Sequence, residues 1–145
     1  MAKLKVYWPD TGFNPGGVIN KPMQIHVGEK NVATLDYGSH RDVQLAPGTH
    51  QVKLYYQEVN ASAQISDVYS NTLAVTLEES DELTLYCVYE WYGKIEFRQL
   101  AEGQTIDAIL AEAQQKRQRR QGMILAVVGF FVLIVILAGI AALIN

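Results

Sequence analysis

The sequence predicts a mainly β protein: an antiparallel β-sandwich, then one amphipathic linker helix, then one transmembrane α-helix. Three observations predict it. Apolar residues recur with a period of two from Lys3 to Leu100. After Gln104 the period lengthens toward that of a helix. From Met123 to Ile144 every charge disappears, although the whole chain of 145 residues is 19% charged. The expected divisions are residues 1–101 for the sandwich, 102–121 for the linker and 122–145 for the span. About 100 residues suffice for a modest core.

The strands follow in order. Leu4, Val6 and Trp8 alternate with Lys3, Lys5 and Tyr7, as on a strand with one dry face. Met23, Ile25 and Val27 alternate with Gln24 and His26, and Leu73, Val75 and Leu77 with Thr72, Ala74 and Thr76. Further strands are expected over residues 31–35, 41–45, 49–56, 82–91 and 94–100. Turn-forming residues separate them at Gly28-Glu29-Lys30, Ala46-Pro47-Gly48, Glu79-Ser80-Asp81 and Tyr92-Gly93. About eight short strands with such spacing suggest a sandwich. Residues 9–17 and 57–70 read as longer loops, which on a rigid scaffold either bind or merely connect.

Within this pattern, residues 23–35 (MQIHVGEKNVATL) and 43–54 (VQLAPGTHQVKL) resemble PEGA-type and related prealbumin-like sandwich modules. The resemblance covers residues 23–56. In that family a short hairpin precedes a Pro-Gly turn that leads into an alternating strand. Where the family has a Pro-Glu-Gly-Ala run, this chain has Ala46-Pro47-Gly48-Thr49. The resemblance implies a binding or spacer module, often attached to membranes, with no catalytic set. No ligand residue is carried over.

Beyond Gly103, Ile106, Ile109, Leu110 and Ala113 form an apolar helical stripe, with Asp107 near the start as the helix dipole favours. The stripe suits docking on the sandwich or on a second copy. Gly122 is the weak link in an otherwise continuous rod. Residues 123–144 would span about 33 Å as a helix, matching a hydrocarbon core of about 30 Å. Lipid then demands a helix, because nothing else satisfies the backbone there. Lys116, Arg117, Arg119 and Arg120 stand directly before the span, with only Asn145 after it. The positive-inside rule places the collar and the preceding domain in the cytoplasm, which makes this a tail-anchored, single-pass membrane protein. The N-terminus has no apolar stretch suited to a signal peptide. The collar either sets topology alone or also holds anionic lipid headgroups, at about 1 kcal/mol per charge. Gly122/Ala126 and Ala138/Ala142 give a small-residue spacing compatible with a homo-oligomer.

Composition narrows the function classes. Net charge is −3, which gives no general drive toward nucleic acid. A single cysteine excludes a disulfide framework and a cysteine-based zinc cage. His26, His40 and His50 lie on or beside neighbouring strands, but His50 shares a face with Val52 and Leu54 while His26 takes the opposite one. They read as individually satisfied side chains, and no metal or cofactor is expected. Cys87 alternates with Leu85 and Leu83 and reads as a packed apolar residue. Asn60-Ala61-Ser62 fits a glycosylation acceptor only if it faces a lumen, which the expected topology denies. The chain has no phosphate loop, no nucleophile elbow and no HExxH helix, so no catalytic residue is assigned and an enzyme is not expected.

The tyrosines carry the binding expectation. Tyr7, Tyr55, Tyr86 and Tyr92 fall on the polar side of their strands, where they suit either a partner interface or cross-strand pairing on a solvated sheet. The function expected is a non-enzymatic, membrane-anchored protein-interaction module, an accessory or assembly subunit of a larger membrane complex. The alternative is a membrane-anchored module for carbohydrate or lipid headgroups. The expected partners are the lipid bilayer, membrane-complex proteins and a second copy of the chain.

Overall fold

Alternation decides which face of each strand is dry, and in the computed structural model the dry faces meet. Residues 1–10, 22–59, 62–90 and 94–144 are described. In β1 (Ala2–Tyr7), Ala2, Leu4 and Val6 are buried while Lys3, Lys5 and Tyr7 are half-buried. Then come β2 (Met23–Val27), β3 (Lys30–Leu35), β4 (His40–Leu45), β5 (Gly48–Val59), β6 (Ile65–Tyr69), β7 (Leu73–Leu77), β8 (Glu82–Glu90) and β9 (Lys94–Gln99). They form two sheets. One is four-stranded, in the order β4-β1-β8-β9. The other is five-stranded, in the order β3-β2-β5-β6, with β7 also on β5. Leu4, Val6, Leu85 and Phe97 of the first sheet share one buried cluster with Ile25, Leu35, Leu54 and Leu77 of the second.

Two expectations need correction. The sheets are not wholly antiparallel, since β1 lies parallel to β8, with Leu4 opposite Leu83 and Val6 opposite Leu85. Alternation fixes the dry face of a strand but not its direction, and β1 and β8 are joined through the other sheet rather than by a hairpin. Residues 57–70 are also not one loop. β5 runs 12 residues to Val59 and pairs with β6, Tyr55 opposite Tyr69 and Gln57 opposite Asp67. The pattern of β6 hides it, because Ile65 and Tyr69 are exposed and Val68 is its one residue packed on the core. Most of the expected loop 9–17 and the Tyr92-Gly93 turn lie outside the described residues.

Local chemistry explains the corners. The two residues between β2 and β3 are Gly28 and Glu29, and Gly28 takes φ +60. Glycine at the first position of a two-residue hairpin turn permits the left-handed geometry that matches strand twist. At the β6/β7 junction the Ser70 N–H donates to the Leu54 carbonyl at 3.0 Å. The Ser70 hydroxyl oxygen accepts from the Leu54 N–H at 2.8 Å, replacing a backbone partner where the strand leaves the ladder. Asn71 then reaches the other sheet. Its Nδ2 donates to the Phe97 carbonyl at 2.9 Å and its Oδ1 accepts from the Phe97 N–H at 2.6 Å. Phe97 lies on β9, an edge strand, so one carboxamide supplies the two partners a missing strand would give.

Residues Met1–Asp107 and Ala108–Asn145 form two compact units. Helix α1 (Ile106–Ile144) is continuous through Gly122, so the amphipathic linker is not a separate helix. Thr105, of a type favoured as an N-cap, precedes it, and Asp107 lies in its first turn. Over Ile106–Ile136 the helix is long and apolar enough to cross a membrane. Its large apolar side chains from Met123 to Ile136 are all exposed, Leu125 at 72%.

The Asn71 bridge predicts a specific stability loss. Asn71→Ala leaves the Phe97 N–H and C=O without partners and should cost about 2 kcal/mol in urea unfolding followed by tryptophan fluorescence. Asn71→Asp keeps the acceptor and should cost less. Equal stability of Asn71→Ala and the unmodified chain would mean the bridge holds nothing.

Candidate partner-binding surface

The residues singled out for binding do not converge. Tyr7 stands on the outer face of the four-stranded sheet, stacked on His40 with centroids 4.9 Å apart. Its neighbours form a charged lattice: Lys3 Nζ lies 2.9 Å from Asp42 Oδ2, and Lys5 Nζ 2.8 Å from Glu82 Oε1. The bond from Lys3 lowers the Asp42 pKa, the bond from Lys5 lowers that of Glu82, and Glu82 in turn raises that of Lys5. Such a lattice is exposed, so salt screens it and it adds little to stability. Tyr86 is off the core but only 7% exposed. It lies opposite Tyr7 on one side and Arg98 on the other, which leaves little of it for a partner. Tyr92 lies outside the described residues.

Tyr55 is the productive choice. It stands half-buried on the outer face of the five-stranded sheet, the opposite side of the domain from Tyr7. His26 of β2 lies 5.5 Å from its ring and Tyr69 of β6 lies 5.1 Å away. Lys53 Nζ sits 5.3 Å from the Tyr69 centroid, a cation over an aromatic face. The Tyr55 hydroxyl donates to Asp67 Oδ1 at 2.9 Å, and Gln57 Nε2 reaches the same oxygen at 3.3 Å. Beside these rings Pro22, Gln24, Tyr55, Tyr56 and Gln57 line an open depression of about 270 Å³. Cross-strand registry builds the group, because Gln24 lies opposite Tyr55 and Tyr55 opposite Tyr69.

Sequence reasoning missed Tyr69, Ile65 and Asp67 because their strand was read as loop. Their spacing of two was the available signal. Exposure of Ile65 at 65% and Tyr69 at 51% places two large apolar side chains on the solvent side of one short strand.

Other candidates are occupied. His26 Nε2 is 3.2 Å from Gln24 Oε1, and His50 Nε2 is 2.8 Å from the Ala46 carbonyl oxygen. Cys87 is 1% exposed, its thiol donates to the Tyr7 carbonyl oxygen at 3.5 Å, and burial pushes its pKa well above the ordinary range. The thiolate, which is the reactive form, is therefore suppressed.

In the collar, Lys116 Nζ pairs with Glu112 Oε1 at 2.7 Å, one helical turn away, and Lys116 and Arg119 are exposed. For Arg117 and Arg120 only the backbone is described. At about 100° per residue, positions 116, 117, 119 and 120 occupy one half of the helix circumference, and Gln114, Gln118 and Gln121 the other.

The Tyr55–Asp67 bond predicts a titration. Donation to the Asp67 carboxylate favours the neutral phenol and raises the Tyr55 pKa above the ordinary 10.0. The stabilisation this bond gives is complete below pH 10.0 and is lost as pH rises through the raised value. In an alkaline absorbance titration Asp67→Asn should move the last phenol to ionise back toward lower pH. An unchanged curve would show that the bond does not form in solution.

No protein-family model, no curated protein and no solved structure matches this chain.

Proposed function

We propose that this chain is a membrane-anchored, non-enzymatic protein-interaction module, an accessory or assembly subunit of a larger membrane complex. One observation carries the reading. A helix with outward-facing apolar side chains over Met123 to Ile136 continues directly from four basic residues, on the same chain as a folded two-sheet domain. An exposed apolar surface of that extent is stable in lipid and unfavourable in water. The collar then sets the sidedness, holding the domain at the cytoplasmic face. Of the 12 basic residues, four belong to the collar, whereas all 15 acidic residues precede it. Anionic headgroups attract the first group and hold off the second.

The function that follows is localisation. Confinement to a surface raises the effective concentration of the domain near other membrane proteins. The outer face around Tyr55 and Tyr69 supplies contact area of the type interfaces use, amphipathic rings with little entropy to lose. The local resemblance over residues 23–56 supports the same class, a binding or spacer module. The segment before the span acts as an amphipathic and basic linker between the two parts.

A second reading is favoured by one feature, the open depression lined by Gln24, Tyr55, Tyr56 and Gln57. Aromatic rings beside amide side chains suit a sugar ring or a lipid headgroup, because both offer an apolar face and hydroxyl groups.

Purification in mild detergent separates the two. The module reading expects a stoichiometric membrane protein to copurify with the full chain, and Tyr55→Ser together with Tyr69→Ser to reduce its recovery about tenfold, in keeping with aromatic contacts at interface centres. Isolation as a lone monomer or homo-oligomer that binds glycans or headgroups would replace it with the second reading.

A further inference from the structure

We infer that the outer edge of β6 is a docking site for an extended segment of another protein, added to the five-stranded sheet as a further strand with a Lys or Arg beside Asp67. The inference rests on the protein-interaction reading and names how that interaction is made.

Hydrogen-bond phase identifies the open groups. The Ser70 N–H bonds the Leu54 carbonyl, so the pair 54/70 is a hydrogen-bonded one. Phase alternates along an antiparallel pair, so Val68 and Ser66 turn their backbone groups toward β5. The N–H and C=O of Ile65, Asp67 and Tyr69 therefore point away from the sheet. Among the described residues none of these six groups has a backbone or side-chain partner.

The other sheet edges contrast with this one. The Thr34 carbonyl on β3 accepts from Arg41 Nε at 2.9 Å, and both polar groups of Phe97 on β9 are held by Asn71. Exposed edges are ordinarily blunted by such caps, by lysine or by proline. The β6 sequence ISDVY contains no lysine or proline. Instead, exposed Ile65 and Tyr69 flank it on one face. An added strand would place its own side chains beside them at a separation of about 5 Å.

Charge selects the occupant. Asp67 stands at the centre of the edge, and both of its hydrogen bonds fall on Oδ1. Oδ2 takes no bond among the described residues, and it lies at the position a neighbouring-strand side chain would face. The domain before the collar carries 15 acidic residues against eight basic ones. A basic segment is favoured on both counts. A second copy paired antiparallel about this centre would set Asp67 against Asp67, which is repulsive.

The test is hydrogen exchange, resolved by residue, on the full chain in detergent micelles. The probes are pooled nine-residue peptides of alternating valine and threonine whose central residue is lysine, serine or glutamate. The lysine pool should slow exchange at the Ile65, Asp67 and Tyr69 amides by about tenfold at ten times its dissociation constant, with the glutamate pool giving no protection. Asp67→Lys should reverse the preference. Tyr69→Pro should abolish protection by every pool while leaving unfolding unchanged, since the lost N–H makes no bond to β5. Three results would overturn the inference: binding without protection of these amides, absence of binding by every pool, or protection that grows with protein concentration alone and so identifies a second copy. None of these would remove the interaction reading if a stoichiometric membrane protein still copurifies with the chain. Loss of that copurification would remove the reading itself.

Discussion

A backbone N–H or C=O taken out of water without a partner costs on the order of 1–3 kcal/mol, and the form of this chain follows from how that constraint is met. In the β domain the sheet ladders meet it internally, and the caps from Asn71 and Arg41 meet it at two edges. In α1 the helix meets it within one segment, which is the condition for crossing lipid. Two solutions on one chain produce two units with different solvents. The domain presents charge and tyrosine outward, and the helix presents leucine, valine and phenylalanine outward.

The domain and the anchor also divide the electrostatic work. Acidic residues are confined to the part before the collar, and the collar concentrates positive charge on one half of a helix that turns apolar within three residues of Arg120. Attraction to anionic headgroups and repulsion of the domain act in opposite directions along one short segment. That arrangement favours a module held close to a bilayer without lying flat on it. Within the domain, the lattice of Lys3, Lys5, Asp42 and Glu82 covers one outer face with paired charges, while the other carries the Tyr55 and Tyr69 rings. Paired charges in water contribute little to either folding or adhesion. Of the two outer faces, the aromatic one is better suited to contact.

Much of this was legible in residue order. Ala2, Leu4 and Val6 against Lys3 and Lys5 gave a strand and its dry face, and the loss of charge after Gly122 gave an apolar helix. Three features were not legible, each for a physical reason. Alternation carries no directional information, so the parallel pairing of β1 with β8 was invisible. β6 exposes its isoleucine and tyrosine and buries little, so a rule that equates apolar with buried read it as a loop. The Asn71 bridge joins residues 26 apart through a side chain, which no local period encodes. Tyr86 shows the converse limit: its face was read from periodicity, but its burial depends on Tyr7 and Arg98, neighbours on other strands.

Labelling single cysteines in sealed vesicles of known sidedness tests the central claim most directly, because the one natural thiol, Cys87, is buried and stays silent. With a membrane-impermeant maleimide added to the cytoplasmic side, Ser66→Cys and Gln118→Cys should react, while Val127→Cys and Phe131→Cys should react only after the bilayer is dissolved. Uniform labelling along the helix, or labelling of Ser66→Cys from the opposite side alone, would contradict the account.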